Sequence, residues 1–126
     1  MFKIENKQIH ITRGDVGTIK ITTTDSDGAN YIFKVGDVVR FKVFKNKDCK
    51  CVEIQKDVTV GAETTEVNVQ LTSNETKIGD LINKPSTYWY EVELNPETNC
   101  QTIIGYDEEG AKELILYPEG GSLNDK

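Results

Sequence analysis

The chain has 126 residues, of which 37% are hydrophobic and 29% are charged, and its formal net charge is −6. This composition is typical of a globular protein, and the length suits one domain with a hydrophobic core. The acidic balance, with lysines interleaved among acids, argues against a nucleic-acid partner. The sequence has neither the apolar run of a signal peptide nor the roughly 18 apolar residues of a membrane span. We therefore expect a protein that is made in the cytoplasm and has no membrane partner.

Alternation of apolar and polar residues recurs in the N-terminal half and predicts short β-strands. The alternating runs lie at residues 8–11, 18–23, 31–34, 39–43 and 51–55. The strongest turn between them is Asp25-Ser26-Asp27-Gly28, because glycine accepts positive φ angles and aspartates hydrogen-bond to their own backbone. A second turn is predicted at residues 36–37.

The same period continues in the C-terminal half. Further strands are predicted at residues 67–71, 87–94, 102–104 and 114–117. Thr72 and Glu75 fit a capping box, so residues 73–81 are predicted to form one helical turn that ends near Pro85. Turn residues cluster at positions 95–99 and 107–110.

The strand at residues 87–94 is the most informative, because it holds the single tryptophan and two of the five tyrosines. A period of two separates its residues into two faces, which are Tyr88, Tyr90, Val92 and Leu94 against Trp89, Glu91 and Glu93. We expect the first face to contribute to the core. We interpret Glu91 and Glu93 as solvated residues of the outer face.

Eight or nine short strands with almost no helix predict an all-β fold. The predicted fold is an immunoglobulin-like antiparallel β-sandwich of about eight strands with at most one short helical turn. We expect one sandwich domain over residues 1–118 and a flexible C-terminal tail over residues 119–126. The predicted core consists of Ile19, Ile21, Val39, Phe41, Val43, Val67, Val69, Leu71, Tyr90, Val92 and Leu94.

Residues that could hold zinc or act in catalysis form no recognisable pattern. A closed zinc site needs four ligands, and beyond Cys49 and Cys51 only Cys100 and His10 remain. The odd cysteine count of three does not suit a disulfide framework. We therefore expect no metal, no cofactor, no disulfide and no catalytic residue, and the sequence leaves the binding residues unknown.

A calcium loop is the alternative interpretation of the first turn cluster. Asp25, Asp27 and Asn30 resemble the start of such a loop, but Gly36 occupies the position that requires a glutamate. A hairpin turn is the better interpretation of these residues.

Two further motifs each have a structural and a functional interpretation. Arg13-Gly14-Asp15 matches a cell-adhesion tripeptide, but glycine and aspartate also suit a turn between two strands. Trp89 offers a stacking surface for a sugar, and it equally suits packing beneath a loop or in a subunit interface. We favour the structural interpretation of both motifs.

The order of several motifs along the chain resembles that of a known protein family. The motifs are Arg13-Gly14-Asp15, Asp25-Ser26-Asp27-Gly28, Val38-Val39-Arg40-Phe41-Lys42-Val43, Leu71-Thr72-Ser73-Asn74-Glu75-Thr76 and Thr87-Tyr88-Trp89-Tyr90-Glu91-Val92-Glu93-Leu94. This order is similar to that of small tail and baseplate proteins of phages and prophages of Gram-positive bacteria, in particular the N-terminal domain of upper baseplate proteins of long-tailed phages. The resemblance spans residues 11–117, and Pro85-Ser86 departs from the Pro-x-Gly turn of that family.

The resemblance implies a non-enzymatic structural component of a virion. Such a protein is a tail, baseplate or fibre-attachment adaptor that docks onto other virion proteins, with or without forming a homo-oligomer. Its expected location is the phage particle, after assembly in the bacterial cytoplasm. Two alternatives remain, namely a carbohydrate-binding β-sandwich module and an immunoglobulin-like module of a bacterial surface protein.

Overall fold

The structure is a computed structural model that describes residues 2–5, 7–24, 27–46, 51–79, 84–105 and 110–119. These ranges contain nine β-strands and no helix. The strands are β1 (Phe2–Glu5), β2 (Gln8–Thr12), β3 (Gly17–Ile21), β4 (Val38–Phe44), β5 (Val52–Thr59), β6 (Val67–Leu71), β7 (Ser86–Leu94), β8 (Gln101–Ile104) and β9 (Lys112–Tyr117).

The strands form two sheets that pack face to face. The larger sheet has the order β1-β2-β9-β7-β4-β5, with β8 also beside β7, and the smaller sheet pairs β3 with β6. The prediction of an all-β sandwich is confirmed. One pair departs from the antiparallel expectation, because β2 and β9 run parallel and make the larger sheet mixed. Alternation within a strand reveals which side chains point inward but not the direction of the neighbouring strand.

Strands β8 and β9 lie one after the other along the same edge of β7. Val92 pairs with Ile104 of β8, whereas Tyr90 pairs with Lys112 of β9. The chain therefore leaves the sheet after Ile104 and returns at Lys112 to continue the same edge. The turn predicted at residues 107–110 falls mostly outside the described residues.

One hydrophobic core lies between the two sheets, and every predicted core residue is buried. Strand β7 shows why the period was informative, since Tyr88, Tyr90, Val92 and Leu94 are all buried while the alternate residues are partly exposed. The core also includes residues that we did not predict, chiefly Ile9, Ile11, Phe33, Leu114 and Leu116. The sandwich thus buries one face of every central strand.

Three local predictions can be compared directly with the structure. The capping box is confirmed, because the Thr72 N–H donates to the Glu75 carboxylate over 2.8 Å and the Glu75 N–H donates to Thr72 Oγ1 over 3.4 Å. A hydrogen-bonded turn follows at residues 73–76.

The strand predicted at residues 31–34 is wrong, because only Phe33 pairs there, in an isolated bridge to Thr64. Strand β1 was not predicted.

Candidate functional site

The candidate site is a groove of about 420 Å³ on the open side of the sandwich, beside β3. Ile19 and Lys20 of β3, with the residues that follow that strand, form the wall of the smaller sheet. Tyr90 together with Ile103 and Ile104 of β8 forms the wall of the larger sheet. Residues of the β1–β2 hairpin, Ile4 and Lys7, close one end.

The groove exists because the β1–β2 hairpin covers only part of this side. The hairpin turns at Lys7, whose backbone has a φ of 65° and whose carbonyl accepts a hydrogen bond from the Tyr90 hydroxyl. Burial raises the pKa of Tyr90 to about 12, so the phenol stays protonated and remains a donor at neutral pH. Beyond this turn, β8 forms the edge of the larger sheet, because among the described strands it pairs only with β7.

The opposite half of β3 is covered by the ring of Phe2. A Cβ atom at Gly17 would lie 2.5 Å from Cδ1 of Phe2, so only glycine lets the ring lie against the β3 backbone. Of the β3 residues, Ile19 and Lys20 line the groove.

The described lining of the groove carries basic and no acidic side chains, although the chain as a whole is acidic. Lys7 and Lys20 lie on its rim, and the lining residues that the structure describes include no acid. Lys20 pairs with Glu66 over 3.6 Å, and both side chains are about half exposed or more, at 64% and 45%. An exposed pair of this length contributes little, so Lys20 is available to a partner's carboxylate.

Arg40 and Lys42 organise an ionic network on the outer face of the larger sheet. Arg40 contacts Asp57 over 2.8 Å and Glu97 over 3.0 Å. Lys42 contacts Glu93 over 2.9 Å and Glu91 over 3.6 Å. Our interpretation of Glu91 and Glu93 as solvated residues is wrong, because their side chains are only 20% and 14% exposed and both pair with Lys42.

The network keeps its carboxylates ionised. The hydrogen bond from Arg40 lowers the pKa of Asp57, and the same pair raises the pKa of Arg40. Burial opposes ionisation of Glu93, but hydrogen bonds from Lys42 and Cys100 outweigh it and lower the pKa of Glu93. Charge pairing across neighbouring strands stabilises the sheet and leaves these carboxylates poorly suited to proton transfer.

Trp89 lies on the outer face of the same sheet, as predicted, and is partly buried. Its neighbours across the strands are Phe44 and Glu113. Phe44 is itself buried, so Trp89 borders a packed surface and not a row of exposed rings. On β2, His10 shares a hydrogen bond of 2.9 Å with the Tyr117 hydroxyl.

The Arg13-Gly14-Asp15 turn is held by internal contacts. The Arg13 guanidinium donates to the carbonyls of residues 77–79 over 3.0 to 3.5 Å and pairs with Glu119 over 3.1 Å. The Thr76 hydroxyl donates to the Asp15 carbonyl, and the Gly14 N–H donates to the Thr76 hydroxyl. The Arg13 side chain is only 12% exposed, so its position supports a structural role for the tripeptide.

Potential metal ligands are dispersed over the part of the chain that the structure describes, where no three of them form a group that could hold an ion. Cys51 and Cys100 are free and exposed. Cys49 and Asp25, which belonged to the zinc and calcium alternatives, lie outside the described residues. The pairing of Thr24 with Asn30 and the positive φ of Gly28 fit the hairpin interpretation of this segment.

The groove could not be predicted from the sequence, because its residues come from separate segments of both sheets. Tyr90 was predicted only as a core residue. Ile4, which is 42% exposed, is the exposed large hydrophobic residue that lines the groove.

Comparison with known proteins assigns no family. No family model matches the chain, and no curated protein matches it. The chain is similar to a solved structure of the CsuC–CsuE chaperone–tip adhesion subunit pre-assembly complex from archaic chaperone-usher Csu pili of Acinetobacter baumannii. The match has 19% identity and a TM-score of 0.45, and it covers 100% of this chain and 60% of that one. The described residues contain no helix long and apolar enough to cross a membrane.

Proposed function

We propose that this protein is a non-enzymatic structural component of a phage or prophage virion, a tail, baseplate or fibre-attachment adaptor that docks onto other virion proteins. The observation that carries the docking mode is the groove between two free strand edges. Strand β3 pairs only with β6, and β8 pairs only with β7, among the strands that the structure describes. Free edges accept an added strand through their backbone groups.

The virion setting rests on the ordered resemblance to tail and baseplate proteins. Four of the motifs that carry this resemblance have structural roles here. The Arg13 turn contacts the segment after the Thr72 capping box, and the strands containing Phe41 and Trp89 are neighbours in the larger sheet. The resemblance therefore supports a common framework, onto which each protein adds its own docking surface.

Repetition in a symmetric particle would strengthen such docking. A tail presents several copies of each site, so weak contacts at one strand edge add to a firm attachment. The protein would be made in the bacterial cytoplasm and would reach its final location in the assembled particle.

Mass spectrometry of purified particles from the source strain tests this proposal. We expect the protein in intact tails, in a constant ratio to the tail proteins. Its absence from intact tails, with recovery on the bacterial surface or free in the medium, would contradict the proposal.

A carbohydrate-binding module is the second candidate, favoured by the partly exposed Trp89 on the outer face of the larger sheet. Stacking of a sugar would quench or shift its fluorescence. We expect no binding on a glycan array. Binding that is lost in Trp89→Ala, with the fold intact, would favour this candidate instead.

A further inference from the structure

We propose that an extended segment of a partner virion protein, with alternating apolar and acidic residues, occupies the groove and adds as a strand to the free edge of β3. This inference rests on the proposed function and identifies both the docking surface and the chemistry of its occupant. It follows from three features of the groove, which are its free backbone edge, its apolar walls and its charge.

The groove borders β3 from Ile19 onward. The Phe2 ring lies over the inner face of β3 at Gly17, and the groove begins beyond it. A strand added beside Ile19 and Ile21 would pair with backbone groups that β6 does not use. The site therefore fits a short extended segment and not a helix, which presents no free backbone groups.

The walls can take alternate side chains of such a segment. Ile103 and Ile104 are partly buried and pack against the core, and Ile4 is 42% exposed at the end of the groove. In a strand every second side chain points the same way, so apolar residues at alternate positions would enter the groove together. Covering these side chains removes apolar surface from water, which favours association.

The charge of the groove rim favours acidic residues between the apolar positions of the added strand. Lys7 and Lys20 line the groove, whereas the described lining residues include no acid, in a chain with 21 acidic and 15 basic residues. Carboxylates on the occupant would complement both lysines, and this complementarity sets specificity and rate of association.

The depression beside β5 has the opposite charge. It is lined by Glu53 and Glu75, and the nearby Lys56 is already paired with Glu75 over 2.9 Å. An acidic strand would be repelled there. The charge of the two surfaces therefore directs an acidic occupant to β3.

Charge reversal in the source strain tests the docking surface. Lys7→Glu combined with Lys20→Glu should reduce incorporation into particles at least about tenfold, since each rim attraction becomes a repulsion. The matched control is Lys45→Glu with Lys84→Glu, which makes the same change in net charge at two exposed positions outside the groove. Both variants must keep the wild-type circular dichroism spectrum. If the groove pair does not fold, Lys20→Glu alone takes its place.

The outcomes separate this inference from the proposed function. Incorporation of the folded groove variant at the wild-type level would overturn the inference while leaving the virion assignment intact. Absence of the wild-type protein from particles would overturn both.

Photocrosslinking identifies the occupant. A photoreactive phenylalanine analogue at Thr22, on the groove, should cross-link in particles to an extended apolar and acidic segment of another virion protein. The same analogue at Lys45 should not give this product. A cross-link from Thr22 to a second copy of this chain, or to a segment without acidic residues, would contradict the proposed partner.

Discussion

Phe41 has no exposed surface, and the centroid of its ring lies 5.7 Å from that of Tyr90 in the core. Phe41→Ala should lower the free energy of unfolding by about 3–5 kcal/mol, because it removes buried area and leaves a cavity between the sheets. Urea denaturation measures this loss. Phe41→Leu, which largely preserves volume, should cost less than about 1.5 kcal/mol. A loss below about 1 kcal/mol for the alanine variant would show that the site collapses freely, against expectation.

Arg13 satisfies carbonyl groups that no regular strand pairs, and its planar guanidinium reaches three of them. We expect Arg13→Ala to lower the free energy of unfolding by about 2 kcal/mol, as for hydrogen bonds from a charged donor. Arg13→Lys should recover only part of this loss, because an ammonium lacks the fork of donors. Chemical denaturation of both variants makes the comparison.

The ion pair between Arg13 and Glu119 requires a separate control. Glu119→Gln removes the charge of the pair and leaves the carbonyl contacts, so it should cost less than about 1 kcal/mol. If Glu119→Gln were as destabilising as Arg13→Ala, the ion pair and not the carbonyl contacts would explain the role of Arg13.

Asp37 joins the start of β4 to the turn after β7. Its carboxylate accepts hydrogen bonds from the Tyr31 hydroxyl, the Lys34 N–H and the Asn95 amide. Asn95 in turn accepts a hydrogen bond from the Val38 N–H. Burial opposes ionisation of Asp37, but these donors outweigh it and lower its pKa below the ordinary value of 3.8.

This shift predicts how the contribution of Asp37 to stability depends on pH. A lowered folded-state pKa stabilises the fold above the unfolded-state pKa of about 3.9, and the gain disappears as pH falls through the folded-state value. Asp37→Asn should therefore cost about 1–2 kcal/mol at pH 7 and progressively less below about pH 4. Urea denaturation from neutral to acidic pH measures the difference, and a cost that does not change with pH would contradict this account.

The two sheets share one hydrophobic core, with residues of β3 and β6 packed against those of β4, β7 and β9. Neither sheet can bury its apolar face alone, so we expect a single cooperative unfolding transition. Trp89 fluorescence reports the larger sheet, and far-ultraviolet circular dichroism reports both. The two midpoints should coincide in urea, and a helical spectrum or two separate transitions would contradict the shared core.

Local patterns in the sequence were sufficient to predict which side chains face the core and where several turns lie. Alternation is a property of neighbouring residues, so the buried faces of the strands containing Phe41 and Tyr90 could be read directly. The same holds for the Thr72 capping box, because its partners are only three residues apart. The family resemblance depends on such short motifs of strands and turns. It therefore indicates a common framework of these elements and not a docking surface.

Long-range contacts decided which strands became neighbours, and with them the candidate site. Phe2 pairs with Ile11 of β2 and its ring lies against Gly17, and no local pattern contains either contact. Alternation gives the inward face of a strand but not the partner at its edge, so neither the parallel pairing of β2 with β9 nor the shared edge of β8 and β9 could be predicted. The groove beside β3 depends on where those edges end, and it therefore became visible only in the folded chain.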